Sequence, residues 1–552
     1  MTSSRALDNR QILKAAFVVL LGFVASGVLG FVRTGAFSAT FGASTALDAF
    51  YAAQRIPELL FTVVAGGALG SSFIPVFARY LTDERRDHAW KLASAVMTLS
   101  ASAAAVLALI MFVAAPVLVP ALLVPGAGPT EQALTVSLTQ LMLLTTVIFA
   151  ISGLMMGILN AHQSFFYPAL ALSMNNIGLI IGALVIARLL PVYSIEASHT
   201  LGLVPILPGY AQPLDANIFG LAIGAILGAL LHLVVQVPGL WKVRARLRLS
   251  FNWRLRGVRE VLVLMGPRVL GLSVVQINFT VNVAFASAMV EGSQTALSVA
   301  WFLTYFTLGV IAQSMGTAVF PTLSALAADN DIEGYKTRLT SAMRTVLFLS
   351  FPVMIGLIVL GEPLVSVYER GEWTAQHTRA TAWALAFFAV GIAGHSLLEV
   401  LSRAFYALSD TWTPVKVGIA AMLGNIALSV ILIQIIGDPS TLARGPFAGL
   451  ALANSIATLL ESAALWWLLR RRLGGMNDRT VLAASARALF AALLMGLVIL
   501  FVGDLLTGRH QLMLLVIGGT AGVITFFGIT ILMGMEEVAI LRRRLPGLRA
   551  SK

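Results

Sequence analysis

About fourteen apolar stretches succeed one another along this chain, each at or beyond the ~20 residues that carry a helix across a bilayer. Hydrocarbon offers backbone N–H and C=O groups no water, so segments of this kind satisfy themselves as helices. The expectation is an all-α polytopic membrane protein of about fourteen transmembrane helices. Composition agrees: 11% of residues are charged, against ~25% in soluble domains.

Threading the stretches alternately sorts the charge. Of the 37 Lys and Arg, only Arg188, Arg370, Arg379, Arg444 and Arg509 fall in odd-numbered connections, while Arg33, Arg55 and Arg268 lie within apolar stretches. The others gather in even-numbered connections and at the two termini. Cytoplasmic loops carry such an excess, so both termini are expected inside. The net charge of +12 is thereby explained without nucleic acid, because the basic residues occur as short caps at helix ends. Arg5, Arg10 and Lys14 precede the first stretch, yet no small-residue cleavage site opens onto a polar mature domain, so an uncleaved first span is expected. There are no cysteines, which excludes disulfides, thiol catalysis and Cys-ligated metals.

An internal repeat is visible. ALGSSFIPVFA (68–78) echoes SMGTAVFPTLS (314–324), placing Gly70 over Gly316 and Pro75 over Pro321 at an offset of 246. NAHQSFFYPA (160–169) echoes YALSDTWTPV (406–415) at the same offset, with Pro168 over Pro414. Later, GLAI (220–223) matches GLAL (449–452) at 229, and His232 overlays Glu461. The expected organisation is two pseudo-symmetric six-helix bundles, 1–240 and 258–472, joined by a basic cytoplasmic linker at 241–257. Two additional helices and a basic tail occupy 473–552. Repeated bundles with a site at their interface are a transporter architecture.

A charge at the bilayer centre costs at least ~2.5–3.5 kcal/mol, so one found there faces a wet cavity or a partner. Arg33 closes the first stretch. Asp48, Arg55 and Glu58 share the second, with positions 48 and 55 about 20° apart and 55 and 58 about 60° apart on a helical wheel, and Pro57 is expected to bend that helix. Arg268 follows Pro267 in the seventh. The set reads as a cationic site for an anionic headgroup, since a guanidinium fork donates two parallel hydrogen bonds to phosphate. The structural alternative is that Arg33 snorkels, Asp48 caps a helix and Arg55 with Glu58 is a local ion pair.

Other polar groups suggest less. His232, His395, Glu399 and Glu461 are read as satisfied interhelical contacts. GGALG (66–70) spaces small residues for close packing. WKVRARLRLSFNWRLR (241–256) alternates basic and apolar residues and is expected along the anionic inner membrane surface, where each basic residue contributes ~1 kcal/mol. No metal cluster, nucleotide loop, cofactor motif or nucleophile–base constellation points to an enzyme.

The segment GVLGFVRTGAFSATFGASTALDAFYAAQRIPELL (27–60) resembles the opening helix pair of the MurJ (MviN) lipid II flippases, in the multidrug/oligosaccharidyl-lipid/polysaccharide exporter superfamily. GALGSSFIPVFARY (67–80) and MGPRVLGLSVVQIN (265–278) continue the resemblance. It implies a transporter in the bacterial cytoplasmic membrane that flips an undecaprenyl-pyrophosphate-linked peptidoglycan precursor outward, with cell-wall synthesis proteins as partners. It also implies that Arg33, Asp48 and Arg55 belong to the substrate site. The chain departs from the family pattern at Gly27, Phe61, Thr62 and Phe302, where many members carry arginine. Gly27 and Arg268 overlay in the repeat, so Arg268 is a candidate replacement. Rival readings are a flippase for another polyprenyl-linked glycan, a drug exporter of the superfamily, and a non-transporting scaffold for cell-wall synthesis.

Overall fold

The computed structural model describes residues 9–64, 67–82, 86–190, 216–506 and 510–538. Every regular element among them is helical. The chain divides into two compact units, one of Met1–Gln294 with Gly371–Trp373, the other of Thr295–Arg370 with Thr374–Lys552.

The first unit opens with α1 (Asn9–Phe41), α2 (Thr45–Ala53), α3 (Arg55–Val64) and α4 (Gly67–Thr82). Then follow α5 (Arg86–Leu118), α6 (Pro129–Ala161), α7 (Phe166–Ile181), α8 (Phe219–Val234), α9 (Val237–Lys242) and α10 (Arg256–Ala286). The break between α2 and α3 has a local cause. Pro57 has no N–H to offer the Ala53 carbonyl, so the ladder is interrupted one turn before it. The flanking bonds Gln54 N–H to Phe50 O and Glu58 N–H to Gln54 O persist. The seventh apolar stretch, expected to open the second bundle, packs as α10 against α3 and α4 of the first unit.

Close approach fixes α7 on α8. A Cβ at Gly178 would stand 2.2 Å from Gly228 N, and one at Gly182 would stand 2.7 Å from the Gly224 Cα. Glycines four apart on both helices thus let the backbones touch, as membrane interfaces do when there is no hydrophobic drive between helices.

The second unit holds α11 (Ser293–Leu308), α12 (Ser314–Ala328), α13 (Ile332–Val359), α14 (Ala375–Val390), α15 (Ile392–Ala407), α16 (Trp412–Ile435), α17 (Phe447–Arg472), α18 (Asp478–Leu505) and α19 (Gln511–Leu532). Its first residues come from α11, which begins two residues before the division. The helices α18 and α19 pack on each other and α18 on α13, around Phe348, Met495, Ile499 and Phe526.

The repeat is visible in the backbone. Gln163 and Ser409, 246 residues apart, both take φ of 59° at the end of a helix. Asn160 O and Leu159 O accept the closing bonds in one case, Tyr406 O and Phe405 O in the other. Pro75 and Pro321 lie inside α4 and α12, which end at Thr82 and Ala328.

Among the described residues, eleven helices are long and apolar enough to cross a membrane, or twelve if the bent pair α14–α15 is one span. Fourteen were expected. The second stretch is split into pieces each too short to count, and in α10 the described apolar segment is Val275–Ala286.

Candidate functional site

The expected site residues begin on α1. Arg33 Nη1 donates to Asn176 Oδ1 on α7 at 3.1 Å, and its guanidinium stands 5.9 Å from the Phe37 ring centroid. Asn176 is buried and in turn donates to the Ser26 carbonyl and hydroxyl at 3.2 Å. The glycine contact that seats α7 on α8 therefore also sets the group that orients Arg33.

Arg55 is the first residue of α3. Its Nη1 donates to Glu58 Oε2 at 2.9 Å, and its guanidinium lies 5.3 Å from the Phe279 ring centroid on α10. Gln276, one turn earlier on α10, donates to Thr62 Oγ1 at 3.3 Å. The local ion pair is thus present, yet it covers one side of a cation whose Nε is buried with no hydrogen-bond partner among the described residues.

Asp48 is buried at 7% exposure. It does not cap α2, as the structural alternative held; Ser44 is the N-cap and accepts from Leu47 N–H. Asp48 Oδ2 instead accepts from Gly292 N–H at 2.8 Å, and Glu291 Oε1 accepts from Thr45 N–H at 2.7 Å. Asp48 borders a polar pocket of about 80 Å³ shared with Thr45, Glu131, Ser287, Glu291 and Gln294. The charged groups that line it are all carboxylates, and neither Arg33 nor Arg55 contributes to it.

The Tyr51 ring packs on Phe50 and on Phe37, the ring nearest the Arg33 guanidinium, with centroids 6.0 and 6.4 Å away. Four of the five expected residues, Arg33, Asp48, Arg55 and Glu58, therefore gather on α1 to α3. The fifth, Arg268, is on α10, and its side chain lies outside the described residues. Its backbone position is eleven residues nearer the α10 N-terminus than Phe279, roughly 16 Å along the axis.

Asn176, Tyr51, Phe279 and Glu291 were missed in the sequence. Asn176 alone left a signal, as a polar residue within an apolar stretch. The remaining intramembrane groups are partnered: His232 with Ser152 at 2.5 Å, His395 with Asn454 at 3.1 Å, and Glu399 with Arg403. Glu461 faces Gly418 on α16.

Apolar helices in such number, with charged side chains inside them and a backbone repeat, define a polytopic helical membrane protein of transporter type. The family described as "Lipid II flippase MurJ" matches residues 37–520. The chain is 30% identical over 465 residues to the "Lipid II flippase MurJ" of Burkholderia cenocepacia, covering 83% of this chain and 84% of that one. It is 28% identical over 545 residues to a "Probable lipid II flippase MurJ" of Bdellovibrio bacteriovorus, covering 97% of each. The solved structure "Lipid II flippase MurJ, inward closed conformation" matches with a TM-score of 0.74 at 24% identity, over 95% of this chain and 100% of that one. An inward-facing multidrug resistance MATE family transporter of the MOP superfamily matches at 0.64 and 14% identity, over 81% and 94%. These two likenesses speak to the fold. The chain belongs to the lipid II flippase MurJ family.

Proposed function

We propose that this chain moves lipid II, the undecaprenyl-pyrophosphate-linked peptidoglycan precursor, from the inner to the outer leaflet of the bacterial cytoplasmic membrane by alternating access. Both termini lie in the cytoplasm, following the Lys and Arg asymmetry. The observation that carries the reading is the pair Arg33 and Arg55, two guanidiniums within apolar helices of the first unit, each set against an aromatic ring.

A cation held away from water is costly unless a counter-charge arrives. A diphosphate supplies that counter-charge, and each guanidinium fork matches two of its oxygens. Asn176 orients Arg33 through one nitrogen, and Glu58 engages Arg55 through one, which leaves the Arg55 fork able to turn a second edge to substrate. Arg268 adds a third cation from α10, and Asp48 acts on the sugar-peptide headgroup or on a guanidinium. A potential negative inside assists outward movement of an anion by ~2.3 kcal/mol per charge per 100 mV.

The test is complementation of a strain depleted of its own lipid II flippase, with Arg33→Ala, Arg55→Ala, Asp48→Ala and Arg268→Ala in parallel. Rescue by the unmodified chain that the Arg33 and Arg55 substitutions abolish is the expected result. Rescue indifferent to both would move the site elsewhere. No rescue despite stable expression would favour another polyprenyl-linked glycan.

A further inference from the structure

After Arg244, whose φ of 54° closes the turn that ends α9, residues 245–252 lie outside any helix and run along α5. Two backbone bonds hold them there, Arg248 N–H to Ser94 Oγ and Ser250 N–H to Thr98 Oγ1, both at 3.0 Å. In an extended chain successive side chains point to opposite faces. Val243, Ala245 and Leu247 accordingly pack on the core formed by α4, α5 and α6. Arg244, Arg246 and Arg248 are exposed, the last two about 6.6 Å apart on one face of the extended run. The apolar residues that follow, Leu249, Phe251 and Trp253, continue the parity of Val243, Ala245 and Leu247 but emerge from the protein, at 88%, 65% and 65% exposure.

The depth of this strip follows from α5. Its exposed apolar residues run from Val106 to Val117, and the turn after it adds Leu122. Twenty residues back from Leu122 span a ~30 Å hydrocarbon core and reach Ser102. Thr98 stands four residues further, about 6 Å beyond that boundary, at the level of the headgroups. Among the described residues, one carboxylate pairs with the strip. Asp87 approaches Arg246 at 3.7 Å, with both side chains at least 75% exposed, while Arg86 and Lys91 add positive charge on the same end of α5.

We propose that residues 244–254 form a binding strip for anionic phospholipid, in which Arg244, Arg246 and Arg248 hold headgroup phosphates and Leu249, Phe251 and Trp253 enter the acyl boundary. A row of cations followed by exposed aromatics is the pairing of signals that stable interfacial binding needs. The occupant is the bilayer surface itself, selected by charge complementarity and by depth. The strip belongs to the first unit alone, and the inference does not depend on which lipid-linked substrate the protein moves.

The absence of native cysteine permits a single-site reporter. Asn252→Cys, at an exposed position, is labelled with a fluorophore, and the full chain is reconstituted in phosphatidylcholine vesicles. These carry nitroxide-labelled phosphatidylglycerol or nitroxide-labelled phosphatidylcholine in equal amount. Quenching by the anionic lipid is expected to exceed quenching by the neutral one about threefold, and to lose that excess at high salt. Arg244→Gln, Arg246→Gln and Arg248→Gln together should remove the preference, and the corresponding lysine triple should keep it. Equal quenching by both lipids in the unmodified chain overturns the proposal. So does a preference that survives the glutamine triple, or one lost in both triples. Absence of quenching by either lipid would place another partner on the strip and equally overturn it.

Discussion

Asp48 on α2 accepts a hydrogen bond from the backbone N–H of Gly292 at 2.8 Å. The bond is reciprocated one residue away, where Glu291 accepts from Thr45 N–H. Helix start and loop thus each lend a carboxylate to the other's backbone. Asp48→Ala should raise amide exchange at Gly292 well above that of the unmodified chain and lower stability by ~1.5–3 kcal/mol, the range for a bond to a charged group. Unchanged protection at Gly292 would refute the clasp.

Arg33 and Asn176 make a second test. Asn176→Ala leaves the guanidinium in place without its orienting acceptor, so complementation should fall partially, while Arg33→Ala abolishes it. Arg33→Lys should also fail, because an ammonium offers a point charge in place of a planar fork. Measured growth equal to the parent in the lysine variant would show that charge alone suffices.

Gly178 is the tightest point between α7 and α8. Gly178→Val drives a side chain into the Gly228 backbone, and overpacking of this kind costs ~1–3 kcal/mol. Because Asn176 stands two residues away, the same substitution should weaken complementation. Thermal unfolding in detergent checks the first effect.

Gln163 and Ser409 carry left-handed backbones in equivalent turns, a conformation that costs an ordinary residue ~1–2 kcal/mol. Glycine at either position should preserve or raise the melting temperature. Proline, locked near φ −65°, should lower it by several degrees at both. Opposite responses at the two sites would argue against their equivalence.

Asp410, in the connection before α16, offers a test by acid. Burial pushes its carboxyl up, but bonds from Thr413 N–H and Oγ1 together with the Arg472 guanidinium outweigh this and hold it below the usual carboxylate range. A depressed carboxyl stabilises the fold above its ordinary value and loses that contribution as pH falls through the lowered one. The melting-temperature deficit of Asp410→Asn should therefore be full near about pH 7 and shrink toward about pH 3. A deficit independent of pH would remove the charge from the explanation.

Hydrophobic length alone was enough to read an all-helical membrane chain, because backbone groups in hydrocarbon have one economical solution. The repeat was also legible from Pro75, Pro168, Pro321 and Pro414, since proline constrains the backbone wherever it falls. Charges within apolar stretches pointed to Arg33, Asp48 and Arg55 for the same reason: their cost makes them conspicuous. The break one turn before Pro57 followed from one missing N–H.

Tertiary structure alone decided what those charges touch. Asn176 reaches Arg33 across 143 positions of chain and Gly292 reaches Asp48 across 244, distances over which no local periodicity carries information. It also decided that the seventh apolar stretch packs as α10 in the first unit, placing Phe279 beside Arg55. Helical pattern specifies that a helix has an apolar surface, whereas its partner depends on which surfaces fit, and small residues such as Gly178 and Gly228 settle that only once two backbones meet.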